Sequence, residues 1–200
     1  MIRTLTIALC LAATASHASE CLAIDNDLDR LACYDRESGR TPVTDVLENT
    51  PATGNWNIRT KTSDFKDTTD VYMTVESSEA VSCRSYGNAN RITLMVRCLE
   101  NTTSIFFYGD CHFADHNGYD KVEYRIDDNP AGSRRFDSST DSKALGLWNG
   151  GSSIPFVKKL IGADELLLRA TPFSESPITM KFNIVGLDEA IKPLRKECGW

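Results

Sequence analysis

The sequence predicts a mainly β protein: an antiparallel β-sandwich of about seven strands, with a short N-terminal helical headpiece and a C-terminal helix. Three observations carry this. From Trp56 onward, short segments rich in β-branched and aromatic residues alternate with polar turns. The composition, 41% hydrophobic and 25% charged over 200 residues, suits one globular core and not a disordered or fibrous chain. Beyond an export leader, six of the seven cysteines form an even set that supplies covalent staples.

The leader comes first. Residues 1–18, MIRTLTIALCLAATASHA, carry one basic residue (Arg3), an apolar run from Leu5 to Ala13, and a small-x-small end at Ser16, His17 and Ala18. This is the pattern of a secretory signal peptide. Cleavage after Ala18 removes Cys10 and leaves six cysteines. A lipid anchor on Cys21 is rejected, because Glu20 stands where lipoprotein processing expects a small uncharged residue.

Residues 19–37 read as a disulfide-bound headpiece. Asp25 or Asp27 caps a helix to about Glu37, with Leu28, Leu31 and Tyr34 on one face and aspartates at its positive end. The helix rises ~12 Å between residues 25 and 33, and the extended chain back to residue 21 returns ~13 Å, so Cys21 is expected to bond Cys33. Residues 38–55, with Gly39, Pro42, Pro51 and Gly54, lack a sustained apolar period and read as a linker.

The β domain is expected over residues 56–200. Its strands are WNIRTKTS, VYMTVESS, ITLMVRCL, SIFFYGD, KVEYRIDD, LLLRATPF and ITMKFNIVG, with breaks at Gly87 to Asn90, Glu100 to Thr103 and Asn117-Gly118. One helix is expected near Ile154 to Ile161, starting after Ser152 and Ser153 with Pro155 in its first turn. Another is expected near Leu187 to Lys196, where Leu187, Ala190, Ile191 and Leu194 make one apolar face and Pro193 bends or ends it. A hairpin loop at Gly87 to Asn90 sets Cys83 opposite Leu94 and Cys98 opposite Glu79, an offset of ~13 Å that forbids a bond between the two cysteines. A turn at Glu100 to Thr103 sets Cys111 opposite Ile92, so Cys83 and Cys111 flank one end of the central strand and can join over it. Cys98 is then left for Cys198. A looser loop over 82–90 leaves the pair Cys83 with Cys98 open.

Candidates for chemistry are few. His112 and His116, with Asp110, Asp115 and Asp120, fall around an Asn-Gly turn and not on a helix that would present both rings together, so no metal site is expected. No GxSxG occurs for a serine nucleophile. Asp127 with Asp128, and Asp164 with Glu165, are adjacent carboxylates that a strand points to opposite faces, which suits turns better than glycan cleavage. Asn101-Thr102-Thr103 has the form of a glycosylation sequon but lies in a proposed turn. No catalytic residue and no cofactor is expected. The net charge of −6 argues against a nucleic-acid partner, and no apolar window is long enough for a transmembrane helix.

In CLAIDNDLDRLACYD, LMVRCLENTTSIFF, VEYRIDD, SSTDSKALGLW, IPFVKKLIGADELLLRATPF and the ending SPITMKFNIVGLDEAIKPLRKECGW, the chain resembles the VasI/TagO family of type VI secretion-associated proteins. The likeness spans nearly the whole mature chain in order. It implies a periplasmic accessory protein encoded with a contractile secretion machine, with an envelope protein, a secretion-system component, as partner, and it names no catalytic residues. Cys83 and Cys111 fall outside its motifs, which favours their pairing with each other.

The candidate contacts with a partner are Arg125, Trp148 and Trp200. Strand alternation places Val122, Tyr124 and Ile126 on the core face of VEYRIDD and Arg125 on the other, where an ion pair with Asp137 or Asp141 is the favoured role. Trp200 is expected to cover the sheet, tied down by Cys198. Two functions stand: a non-catalytic periplasmic binding module, or a cell-wall-acting enzyme or an inhibitor of one, the inhibitor using a projecting loop at 109–120 or 128–142. A deep pocket of convergent carboxylates or histidines would favour the enzyme, and an exposed aromatic patch the binder.

Overall fold

A computed structural model describes residues 21–38, 52–63, 65–83, 88–113 and 119–200. The leader, His116 and the middle of the expected linker lie outside these residues. The chain divides into two units, residues 1–49 and 50–200.

In the first unit, a 3-10 turn at Cys21–Ala23 precedes α1 (Asp27–Glu37). Cys21 bonds Cys33 with Cα atoms 5.6 Å apart, and Cys21 is fully buried. The residue before the first helical turn, Asn26, accepts the amide of Asp29, so the cap is Asn26 and neither Asp25 nor Asp27. Arg30 pairs with Asp27 and donates to the carbonyl of Ile24. Leu31, expected on the apolar face, is exposed.

The second unit corrects the expected sandwich. Its strands are β1 (Asn57–Thr62), β2 (Thr69–Val81), β3 (Asn90–Leu99), β4 (Thr102–Tyr108), β5 (Tyr119–Ile126), β6 (Gly132–Ser138), β7 (Ala144–Leu147), β8 (Glu165–Ala170) and β9 (Ile178–Asn183). They hydrogen-bond in the order β1-β2-β3-β4-β7-β6-β5-β8-β9, every pair antiparallel, and β9 returns to β2. Eight strands close a barrel and β1 is an extra strand beside β2. The expected set lacked β6 and β7, which join β4 to β5. β6 buries only Phe136 fully among polar neighbours, and β7 is four residues of ALGL, so neither shows a period-2 pattern.

Closure depends on a bulge. Between Glu76 and Ala80 the β2–β3 register shifts, and Ser77 pairs with Phe182 of β9. The buried Ser77 hydroxyl accepts the amide of Ile92 (3.0 Å) and donates to the carbonyl of Glu79 (2.6 Å), replacing ladder bonds lost at the bulge. The same shift overturns the expected hairpin register. Val75 faces Leu94 and Val71 faces Cys98, and β2 ends opposite Asn90, so the loop to β3 is the looser one. Cys83 nonetheless bonds Cys111, with Cα atoms 5.0 Å apart, because both lie just beyond strands that flank the same end of β3. Cys98 bonds Cys198, with Cα atoms 5.8 Å apart.

Inward residues alternate along the strands: Val71, Met73 and Val75 on β2, and Ile92, Leu94 and Val96 on β3, all buried. Phe107 meets Phe113 edge-on at 5.4 Å. Helix α2 (Gly150–Leu160) adds Phe156, whose ring stands edge-on to Tyr124 (5.1 Å) and Phe136 (5.8 Å). It starts earlier than expected, because the side chain of Asn149 accepts the amide of Ser152; Pro155 therefore lies inside the helix and not in its first turn. The expected final helix is two, α3 (Leu187–Ala190) and α4 (Lys192–Cys198), broken at Ile191 with Pro193 in the first turn of α4. Leu187, Ala190, Ile191 and Leu194 are buried as their spacing requires. The end of the expected linker is not linker: Gly54 packs so closely on Val185 that a Cβ there would sit 2.0 Å from its carbonyl oxygen.

Candidate functional site

Along β4 five consecutive residues, Thr103 to Phe107, are buried. Inward positions explain Thr103, Ile105 and Phe107, which face Cys98, Val96 and Leu94 of β3. Phe106 points to the outer wall, so something else must cover it. The cover is Trp148, stacked on Phe106 with ring centroids 4.7 Å apart, and Arg97 of β3, whose guanidinium carbon lies 5.0 Å from the Phe106 centroid and 5.9 Å from that of Trp148. The Tyr108 ring lies tilted beside Phe106, with centroids 5.9 Å apart. This packing requires Gly146, which faces Phe106 across the β4–β7 ladder; a Cβ there would lie 2.5 Å from the Phe106 Cβ and 3.1 Å from the indole.

These side chains form part of a groove of about 950 Å³ on the outer wall, with Tyr72, Thr93 and Met95 also along it and the β6–β7 turn as its rim. The rim is held by its own hydrogen bonds. Asp141 accepts the hydroxyl of Ser139 (2.6 Å) and the amide of Lys143 (3.2 Å), Ser142 takes a positive φ of 57°, and its carbonyl accepts the amide of Phe113 (2.7 Å). The Ser139 hydroxyl and the Lys143 amide hold the Asp141 carboxyl below its ordinary value. Burial pushes the Arg97 guanidinium below its usual value, opposed by Tyr72 and Asp70, and a guanidinium so perturbed still carries its charge. Arg97 Nε donates to Ser104 Oγ (3.0 Å), and the indole of Trp148 donates to the carbonyl of Asp137 (2.9 Å). Asp110, the second carboxylate of the groove, accepts the side-chain amide of Asn90 (2.6 Å).

Of the residues expected to meet a partner, Trp148 lies in this groove and the other two do not. Arg125 is exposed on β5 opposite Leu167, and it has no ion pair with Asp137 or Asp141: Asp137 faces Tyr119, at the far end of the β5–β6 ladder, and Asp141 lies in the rim turn. The expected structural ion pair is therefore corrected. Trp200 is half-buried, donating from its indole to Thr103 Oγ1 (2.8 Å), with Arg195 and Lys158 over its ring at 5.2 and 5.5 Å. Asp127 serves a turn, its carboxylate accepting the amides of Asp164 (3.0 Å) and Glu165 (2.8 Å). His112 is exposed with its ring edge-on to Phe173, and no cluster of metal-ligating side chains occurs among the described residues. Residues 128–142 are mostly the β5–β6 turn and strand β6, not the projecting loop expected of an inhibitor.

Arg97, Phe106 and Tyr108 were not singled out from the sequence. A signal was present: in SIFFY, adjacent aromatic residues on one strand point to opposite faces, so Phe106 and Tyr108 had to lie outside if Phe107 lay inside.

No curated protein matches the chain. Among solved structures, the crystal structure of invasion associated protein B from Bartonella henselae is similar over 72% of this chain and 94% of that one, at 12% identity and a TM-score of 0.46. No helix among the described residues is long and apolar enough to cross a membrane. The family model described as "Type VI secretion system VasI, EvfG, VC_A0118" matches residues 20–200, and the chain thus belongs to the VasI family of type VI secretion proteins.

Proposed function

We propose that this protein is a non-catalytic binding module, exported to the periplasm, that assists assembly or regulation of a type VI secretion apparatus through the groove on its outer barrel wall. The observation that carries the reading is the makeup of that groove. Its walls are aromatic and cationic and, among the described residues, hold no histidine, and each of the two carboxylates there is fixed through one oxygen by structural hydrogen bonds. A stacked aromatic wall beside a cation suits recognition of a partner. Export is supported by three disulfides, which persist in oxidising compartments, and by membership of a secretion family.

The test is site-specific photo-crosslinking in cells. A photoreactive residue at Thr93, in the groove, should yield a discrete adduct with a secretion component in the periplasmic fraction, and one at Arg125, outside it, should not. Equal labelling at both positions, or no adduct at Thr93, would count against the groove. A full-length cytoplasmic product would count against export.

A further inference from the structure

Among the described residues the groove is lined by three cations, Arg91, Arg97 and Lys143, and two carboxylates, Asp110 and Asp141. Each carboxylate is held through one oxygen, Asp110 by the side-chain amide of Asn90 and Asp141 by the Ser139 hydroxyl and the Lys143 amide. Arg91 is also occupied, donating to the backbone carbonyls of Ser77 and Ser78. Two cations are not. Arg97 is held through Nε by Ser104 and flanked by two aromatic rings, yet its terminal nitrogens have no acceptor among the described residues. The ammonium of Lys143 donates no hydrogen bond to them and is attracted by the Asp141 carboxylate. Arg97 thus presents open donors beside an apolar surface made by Phe106, Tyr108, Met95 and Trp148.

We propose that the groove binds an extended peptide segment of a partner protein that presents a carboxylate next to an apolar side chain, with the carboxylate on Arg97. The proposal rests on the binding-module reading and names the chemistry of its ligand. A guanidinium fixed at Nε and lying over the Phe106 ring offers its terminal nitrogens to a carboxylate with little further loss of freedom. The alternative suggested by aromatic walls is a glycan. Arg97 offers a full positive charge with donors only, which a carboxylate matches and a neutral sugar hydroxyl does not. At about 950 Å³ the groove has room for several residues of a peptide and not only a single small acid.

The experiment selects binders to the oxidised mature chain from a random peptide library and measures them by tryptophan fluorescence titration. Enriched peptides should carry Asp or Glu beside Phe, Leu, Ile or Val, and replacing that acid by its amide should weaken binding about tenfold. R97Q should weaken the acidic peptide by a similar factor and leave its amide counterpart nearly unchanged. K143Q should show a smaller loss, and R97K an intermediate one because it keeps the charge but not the planar fork. If R97Q melts early, R97K and K143Q carry the test. Enrichment of basic or uncharged peptides, no enrichment, an acidic peptide indifferent to both cations, or displacement by an N-acetylglucosamine oligomer would overturn the proposal. A crosslink at Thr93 combined with any of these results refutes the ligand chemistry alone, whereas loss of that crosslink refutes the binding-module reading.

Discussion

Gly146 shows how one missing side chain builds the groove. Phe106 and Trp148 can stack only because nothing projects between them, so Gly146→Ala must push the rings apart. The expected result is a change in near-ultraviolet circular dichroism with peptide binding reduced, and a drop in stability of about 1–3 kcal/mol, the usual cost of overpacking. Ser77 is the corresponding residue for closure. Ser77→Ala removes the acceptor of a buried amide, that of Ile92, and should cost about 1–3 kcal/mol in urea denaturation. A variant with the parent's midpoint would show that the bulge does not depend on this hydroxyl. Neither role was legible in the sequence, because each depends on which strand lies alongside, and the sequence shows only which positions alternate.

At the scale of elements, the β6–β7 turn is a rim fixed by Asp141. Its carboxyl titrates below the ordinary carboxylate value in the folded protein, so its contribution is present above the unfolded value, near 3.9, and is lost as pH falls through the folded one. The backbone amide of Lys143 should therefore shift in NMR spectra with a midpoint below about 3.9, and Asp141→Asn should abolish that transition. A midpoint at or above the ordinary value would contradict the hydrogen bonds at the turn. The C-terminal segment is an element whose role was legible: the 0, 3, 4, 7 spacing of Leu187, Ala190, Ile191 and Leu194 predicted a buried face, and it is buried. Its break at Ile191 follows from Pro193, which lacks the amide an unbroken helix needs.

For the whole molecule, the three disulfides differ in how much chain they close. Cys98–Cys198 spans 100 residues, Cys83–Cys111 spans 28 and Cys21–Cys33 spans 12. In the chain-entropy picture these contribute about 4.7, 3.6 and 2.8 kcal/mol. Replacing Cys98 and Cys198 together by serine should lower the melting temperature more than replacing Cys83 and Cys111. Deleting residues 197–200 should do the same, since it also removes the bond from Trp200 to Thr103. A truncated chain that melts with the parent would return the tail to partner binding.

What the sequence determined by itself was local or covalent in origin. Strand alternation on β2 and β3, the apolar face of the last helices, the Asp127 turn and the family likeness were all carried by short windows of residues. Closure of the barrel was decided only by the tertiary structure. The same alternation serves a sandwich and a barrel equally, because a strand shows the sequence which face is buried and not which edges meet. The two weakest patterns, β6 and β7, were the strands that made the ladder continuous, and a single bulge at Ser77 brought β2 to β9. The groove followed from that closure: Arg97, Phe106 and Trp148 come from β3, β4 and the end of β7, and only the β4–β7 pairing sets them side by side.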